Sequence, residues 1–148
     1  MPDQGLDEAA AVRLLNRIIE LELAGVVRYT HYSFMVFGYG RIPIVSWLRS
    51  QANESLLHAQ EAGELITQCG GDPSLGIGPL LDAHTHDVGA ILEGSLKHEE
   101  KGLAAYGELL ALVDGRSVML EEYARRMISD ETRHVGEVKK MLRPPGDA

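Results

Sequence analysis

The chain has little cysteine, few aromatic residues and no long apolar run. Its one cysteine, Cys69, excludes a disulfide framework and any four-cysteine metal site within the chain. Aromatic residues make up only 5% of the 148 residues while hydrophobic residues reach 45%, and the abundance of Ala, Leu, Glu and Arg favours helices packed on helices. No segment is long and apolar enough to cross a bilayer, so we expect no membrane association. The size predicts one domain over residues 1–148.

The charge balance is acidic, with a formal net charge of -8 and no lysine-rich arm. Attraction to nucleic-acid phosphates is therefore not expected, whereas an acidic surface raises the local concentration of cations. The first residues contain no basic region followed by an apolar run, so we expect a protein that stays in the cytoplasm.

Apolar residues recur at steps of three and four, which predicts four long helices. The stretch from Asp72 to His84 holds two prolines and two glycines and has no helical period. It predicts a long crossover, which lets the third helix run parallel to the second. The expected helices span about Asp7 to Val36, Pro43 to Cys69, Thr85 to Val113, and, after the N-cap Ser117, as far as Leu142.

One motif, E-x-x-G-x-x-x-Y, occurs twice, and each copy is followed by a helix that carries a carboxylate and a histidine. The copies are Glu22, Gly25 and Tyr29, and Glu99, Gly102 and Tyr106; the following pairs are Glu54 with His58, and Glu131 with His134. A charged carboxylate inside an apolar stripe is costly unless it is paired or binds a metal. We therefore predict that four carboxylates and two imidazoles converge on two metal ions. Carboxylate and imidazole donors suit iron or manganese.

The sequence of the second helix does not decide which residue supplies its carboxylate ligand. A Glu-x-x-His pattern would need glutamate where Ser55 stands. At 100° per residue, Glu54 lies about 40° from His58 around the helix, and it would reach the metals if the helix carries a local π-bulge. The alternative is that Glu54 points away and the site lacks one bridge; we predict Glu54 as the ligand.

The repeated motif also predicts functions for its two tyrosines and its two glycines. Tyr29 lies two turns after Glu22, and we expect it to hydrogen-bond a ligand carboxylate and to take part in the reaction. Tyr106 either does the same or packs. Gly25 and Gly102 cost helix stability, so we expect them to let neighbouring helices approach closely.

These segments resemble the bacterioferritin branch of the ferritin-like superfamily. LNRIIELELAGVVRYTHY resembles its first helix, ESLLHA its second, DVGAILEGSLKHEEKG its third and ISDETRH its fourth. The resemblance implies an all-α ferritin-like four-helix bundle with a long crossover between helices two and three. It also implies Tyr29 beside the iron site and the ligands Glu22, His58, Glu99, Glu131 and His134. Two positions depart from the family: Ser55 replaces a bridging glutamate, and Leu56 replaces the haem-ligating methionine, so no haem is expected.

The resemblance implies a ferroxidase that binds two Fe per chain, oxidises Fe(II) with O2 or H2O2, and stores iron in a homo-oligomeric shell. Manganese is a second candidate metal. The alternatives are a di-iron peroxidase, a dimanganese catalase, and a non-catalytic metal-binding helical protein. We expect the bundle to expose apolar residues near one end, which predicts a homo-oligomer, a dimer at least; they are Phe34, Phe37, Ile42, Ile44 and Trp47.

Overall fold

The computed structural model describes residues 5–81 and 83–146, and the secondary structure in these residues is entirely helical. The all-α prediction is confirmed. The four helices are α1 (Glu8–Met35), α2 (Arg41–Gln68), α3 (Val88–Val113) and α4 (Val118–Leu142).

Side-chain caps set three of the helix starts. The carboxylate of Asp7 accepts from the backbone of Ala10 at the start of α1, and Ser117 begins α4 in the same way. Asp87 caps α3, so this helix begins at Val88, three residues after the predicted start. The start of α2 was also misplaced, because Arg41 and Ile42 extend the helix ahead of Pro43, which a first turn tolerates.

Contacts between side chains fix the helix directions. Along α1, Arg17 pairs with Glu108 of α3 and Tyr29 with Glu99, so these two helices are antiparallel. Ile19 lies against Gly63 of α2, and Gly25 lies against Ser55. Because α1 is antiparallel to both, α2 and α3 run parallel, as the predicted crossover requires.

The crossover is attached along α1. The Ser74 hydroxyl donates to the Glu20 carboxylate at 2.7 Å, and the Ser74 amide donates to Asn16 at 2.7 Å. The Gly78 amide donates to the Glu20 carbonyl at 2.8 Å. A Cβ at Gly78 would lie 2.9 Å from that carbonyl oxygen, so glycine permits the approach.

Two apolar clusters fill the bundle. One draws on all four helices and is centred on side chains such as Leu15, Ile66, Leu109 and Met127. The other lies towards the end where α1 meets α2, and its members lie in α1, α2 and α3 and at Val36 just after α1. Buried polar residues of all four helices separate the clusters: Glu22, Ser55, His58, Ser95, His98, Glu99 and Glu131. No described helix is long and apolar enough to span a membrane.

Candidate metal centre

Three carboxylates from three helices are buried in the polar layer between the apolar clusters. Glu22 of α1 is 7% exposed, Glu99 of α3 is 6% exposed and Glu131 of α4 is 3% exposed. Carboxylates at such depth are rare unless they are paired, protonated or bound to a cation. The two glutamates of the repeated motif, Glu22 and Glu99, thus lie in one buried layer together with Glu131.

The first set of donors is Glu22, His58 and Glu131, whose ligand atoms all lie within 4.8 Å of one another. The Nδ1 atom of His58 is 2.8 Å from Oε2 of Glu22 and 3.6 Å from Oε1 of Glu131. Two carboxylates and an imidazole at this spacing can surround one divalent cation.

The second set is Glu99, Glu131 and His134, with the same spacing between ligand atoms. The Nδ1 atom of His134 lies 3.8 Å from Oε1 of Glu131. Glu131 thus belongs to both sets, and a carboxylate has two oxygens with which to serve two cations. If each set held a cation, Glu131 would be the carboxylate common to both.

The electrostatics show how closely these acids are packed. Burial raises the pKa of Glu22 to about 7, although His58 opposes the shift by hydrogen bonding and charge attraction. Burial, a hydrogen bond with Glu99 and repulsion from Glu99 raise the pKa of Glu131 well above its usual range. Burial and mutual repulsion therefore favour the protonated forms of Glu22 and Glu131, and a divalent cation would compensate the same charge.

Tyr29 and Tyr106 occupy different environments despite their shared motif. The Tyr29 hydroxyl donates to Oε1 of Glu99, and burial followed by repulsion from Glu99 raises the pKa of Tyr29 well above its usual range. The predicted hydrogen bond to a candidate ligand carboxylate is thus present. Tyr106 is also buried, and its ring packs edge-on against Tyr123 at 6.0 Å between centroids.

Glu54 approaches the site from the solvent side. Its Oε1 atom lies 3.2 Å from Nε2 of His134 and 3.8 Å from Nε2 of His58. Because α2 is α-helical from Arg41 to Gln68, the expected π-bulge is absent from this helix and Glu54 reaches the histidines without it. Ser55, on the inner side, is buried.

Gly25 admits two polar side chains at this level of the bundle. A Cβ built on Gly25 would lie 2.8 Å from Oγ of Ser55 and 3.1 Å from Nε2 of His98. The prediction for Gly25 therefore matches the structure, whereas a Cβ on Gly102 would meet no atom of the described residues within 4 Å. The expectation for Gly102 was wrong within the chain.

Two side chains beside Tyr29 were not assigned to the site from sequence. His98 lies edge-on to the Tyr29 ring at 6.2 Å, and Trp47 does so at 6.5 Å. Burial lowers the pKa of His98 to about 4. The available signal was that His98 directly precedes Glu99, and Trp47 is the only tryptophan of the chain.

The apolar residues expected at the surface divide into two groups. Phe34, Phe37 and Ile42 are exposed, whereas Ile44 and Trp47 are partly buried against the second apolar cluster. The expectation that all five lie exposed was therefore wrong for the last two. Leu56, at the position considered for a haem ligand, lies on the surface of α2 with 41% exposure.

Comparisons with known proteins agree with this architecture. A family model described as ferritin-like domain matches residues 12–144. A ferritin-like diiron-carboxylate protein from Bacillus anthracis is 26% identical, with a TM-score of 0.82 over 93% of this chain and 98% of that chain. No curated protein sequence matches the chain.

Two more distant structures share the fold. A dodecameric thioferritin from Bacteroides fragilis, described as bacterioferritin-related, is 19% identical, with a TM-score of 0.86 over 93% of this chain and 86% of that chain. The bacterioferritin of Desulfovibrio desulfuricans, solved with its diiron site in different catalytic states, is 22% identical. Its TM-score is 0.78, over 91% of this chain and 79% of that chain.

Proposed function

Because the chain belongs to the ferritin-like domain family, we propose that it is a ferroxidase that takes two Fe(II) ions as its substrate. The observation that carries this proposal is the position of Glu131, which is shared by two sets of carboxylate and imidazole donors. Oxygen and nitrogen donors of this kind suit iron. The Bacillus anthracis protein of the same fold is itself described as a diiron-carboxylate protein.

The proposed centre divides its residues between the two ions. Glu22 and His58 hold one, Glu99 and His134 hold the other, and Glu131 lies between them. Glu54 lies on the solvent side of the centre, next to both histidines. Each ion gives up one electron; the pair reduces hydrogen peroxide to water, or dioxygen to hydrogen peroxide, with uptake of two protons.

The side chains supply charge compensation and proton storage. Because burial raises the pKa of Glu22 to about 7 and that of Glu131 further, protons occupy the layer until Fe(II) arrives. Binding of Fe(II) displaces these protons, which are then available for reduction of the oxidant. Apolar clusters above and below the layer limit the access of water, which strengthens the attraction between the carboxylates and a cation.

Tyr29 acts beside the metals in this proposal. Its hydroxyl donates to Glu99 and so fixes one carboxylate oxygen, leaving the other for Fe(II). Trp47 and His98 pack edge-on against its ring and hold it in place. A hydrogen bond to a ligand carboxylate of this kind tunes both the orientation and the basicity of the ligand.

We also propose that the chain assembles into a homo-oligomer, a dimer at least, and that a closed shell would allow it to store the oxidised iron. The exposed side chains of Phe34, Phe37 and Ile42 support an interface. The Bacteroides fragilis protein of the same fold is described as dodecameric.

Titration with Fe(II) under anaerobic conditions, followed by an oxidation time course, tests the enzymatic proposal. We expect two Fe(II) per chain and oxidation much faster than in buffer, with no haem band in the visible spectrum. Glu99→Ala should abolish fast oxidation, while Glu64→Ala on the exposed surface of α2 should leave it unchanged. Native manganese with disproportionation of peroxide would instead indicate a catalase, and turnover only with an added electron donor would indicate a peroxidase.

A further inference from the structure

Both histidines of the candidate centre direct their two ring nitrogens to different partners. In His58 and in His134, Nδ1 lies towards the buried Glu131, at 3.6 and 3.8 Å from its Oε1 atom. The opposite nitrogens lie towards Glu54: Nε2 of His134 is 3.2 Å and Nε2 of His58 is 3.8 Å from Oε1 of Glu54. Each ring therefore stands between the buried carboxylates and Glu54.

The exposure of Glu54 differs from that of the other carboxylates. Its side chain is 37% exposed, against 11% for His58 and 20% for His134. A cation bound among the inner carboxylates is thus shielded from Glu54 by the two imidazole rings. This arrangement makes Glu54 a poor bridge between two cations, although its Oε1 atom lies within hydrogen-bond distance of Nε2 of His134, at 3.2 Å.

A histidine that binds a metal through one nitrogen commonly donates the proton on its other nitrogen to a carboxylate, which fixes the tautomer and the ring orientation. We infer that Glu54 is a positioning residue that accepts from Nε2 of His134 and so presents the lone pair of the His134 Nδ1 atom to the centre. The inference rests on the proposed function for the identity of the cations. Its geometry does not depend on turnover.

This role also gives a reason for the neighbouring serine. Ser55 faces the inner side, where its hydroxyl would lie 2.8 Å from a Cβ on Gly25, so the adjacent helix passes too close for a longer side chain without displacement. The carboxylate of α2 stands one residue earlier, outside the two rings. One acid outside the rings then positions His134, while Glu131 remains the carboxylate that the two donor sets share.

Equilibrium binding of Co(II) separates a positioning residue from a ligand. Glu54→Ala should weaken Co(II) binding by about 10- to 100-fold, the usual effect of losing such a partner, with two Co(II) still bound per chain. Glu54→Gln keeps an oxygen that can accept from an imidazole, so it should bind Co(II) within a few-fold of the unchanged protein. Glu61→Gln, on the same helix and equally exposed at 37%, is the matched control and should have no effect.

Nitrogen-15 NMR of the histidines in the metal-free protein supplies a readout that does not depend on metal. In the unchanged protein and in Glu54→Gln, the neutral ring of His134 should carry its proton on Nε2, and Glu54→Ala should lose that preference. Glu54 is a ligand, and the inference is wrong, if three results occur together. Glu54→Gln weakens Co(II) binding as much as Glu54→Ala does, each variant binds one Co(II) fewer per chain, and the histidine tautomers do not change. Unchanged tautomers and unchanged binding in both variants would also overturn it. Slow Fe(II) oxidation with the expected tautomers and Co(II) binding would instead count against the ferroxidase proposal.

Discussion

Replacement of Glu22 by glutamine should flatten the pH dependence of stability in the metal-free protein. Glu22 is buried between His58 and the other carboxylates, and burial raises its pKa from 4.5 to about 7. A carboxyl group with a raised pKa in the folded state stabilises the fold while it is protonated, below its unfolded pKa. That contribution is lost as the pH rises through the folded pKa.

The size of the effect follows from the shift. A rise from 4.5 to about 7, at 1.36 kcal/mol for each pH unit, corresponds to about 3 kcal/mol. The unchanged protein should therefore lose about this much stability through Glu22 between pH 4.5 and 7. Glutamine has almost the same shape and does not ionise, so Glu22→Gln should lack this part of the loss.

The assay is urea unfolding in the presence of a chelator, at pH 4.5, 5.5, 6.5 and 7.5, with circular dichroism as the signal. The difference in unfolding free energy between Glu22→Gln and the unchanged protein should grow with pH by about 3 kcal/mol. Glu64→Gln, an exposed residue of α2, controls for the loss of one negative charge and should show no such growth. Saturating Co(II) should remove the pH-dependent loss from the unchanged protein, because the cation replaces the proton.

A parallel pair of stability curves for Glu22→Gln and the unchanged protein would refute the reasoning. It would mean that Glu22 is solvated, or already compensated by His58, in the metal-free state. A growth of the difference in the opposite direction, with the variant losing more stability at high pH, would show that the ionised Glu22–His58 pair stabilises the fold.

Three further outcomes are expected. Tyr29→Phe removes the hydrogen bond to Glu99 and should weaken Co(II) binding about tenfold in a calorimetric titration; binding equal to that of the unchanged protein would show that Tyr29 only packs. Gly25→Ala should lower the free energy of unfolding by about 1–3 kcal/mol, because the new Cβ would meet Ser55 and His98. Gly102→Ala, whose Cβ meets open space, should raise it by about 0.5–1 kcal/mol. Equal effects in chemical unfolding would contradict the packing described. Light scattering at low micromolar concentration should give at least twice the chain mass of 16.2 kDa, and a mass near one chain would refute the oligomer.

The fold could be predicted because local patterns and global packing agree. Helix periodicity, the predicted end of the second helix at Cys69 and the crossover rich in proline and glycine all describe one topology, and the helix bounds differ from the structure by only a few residues. The shared burial of Glu22, Glu99 and Glu131 was also accessible, because each acid interrupts an apolar stripe. Their role as metal ligands remains a prediction.

The orientation of the histidine rings could not be predicted from the spacing of residues in the sequence. Helical rotation gives the direction in which a residue leaves its helix, but it does not give the rotation of a ring about its own bonds. The direction of Nε2 in His58 and His134 depends on where Glu54 ends, three bonds away from its backbone. His98 is a similar case: it is buried where α1 passes close by at Gly25, and this contact between helices does not follow from sequence spacing.

The attachment of the crossover along α1 bears on how the chain folds. Its hydrogen bonds join residues 54 and 58 positions apart in Ser74–Glu20 and Ser74–Asn16. These bonds close a loop that contains the whole of α2, because the crossover follows α2. Contacts between residues far apart in the chain slow the search for the native state. The chain should therefore refold more slowly than a bundle of equal length whose helices are joined only by short turns.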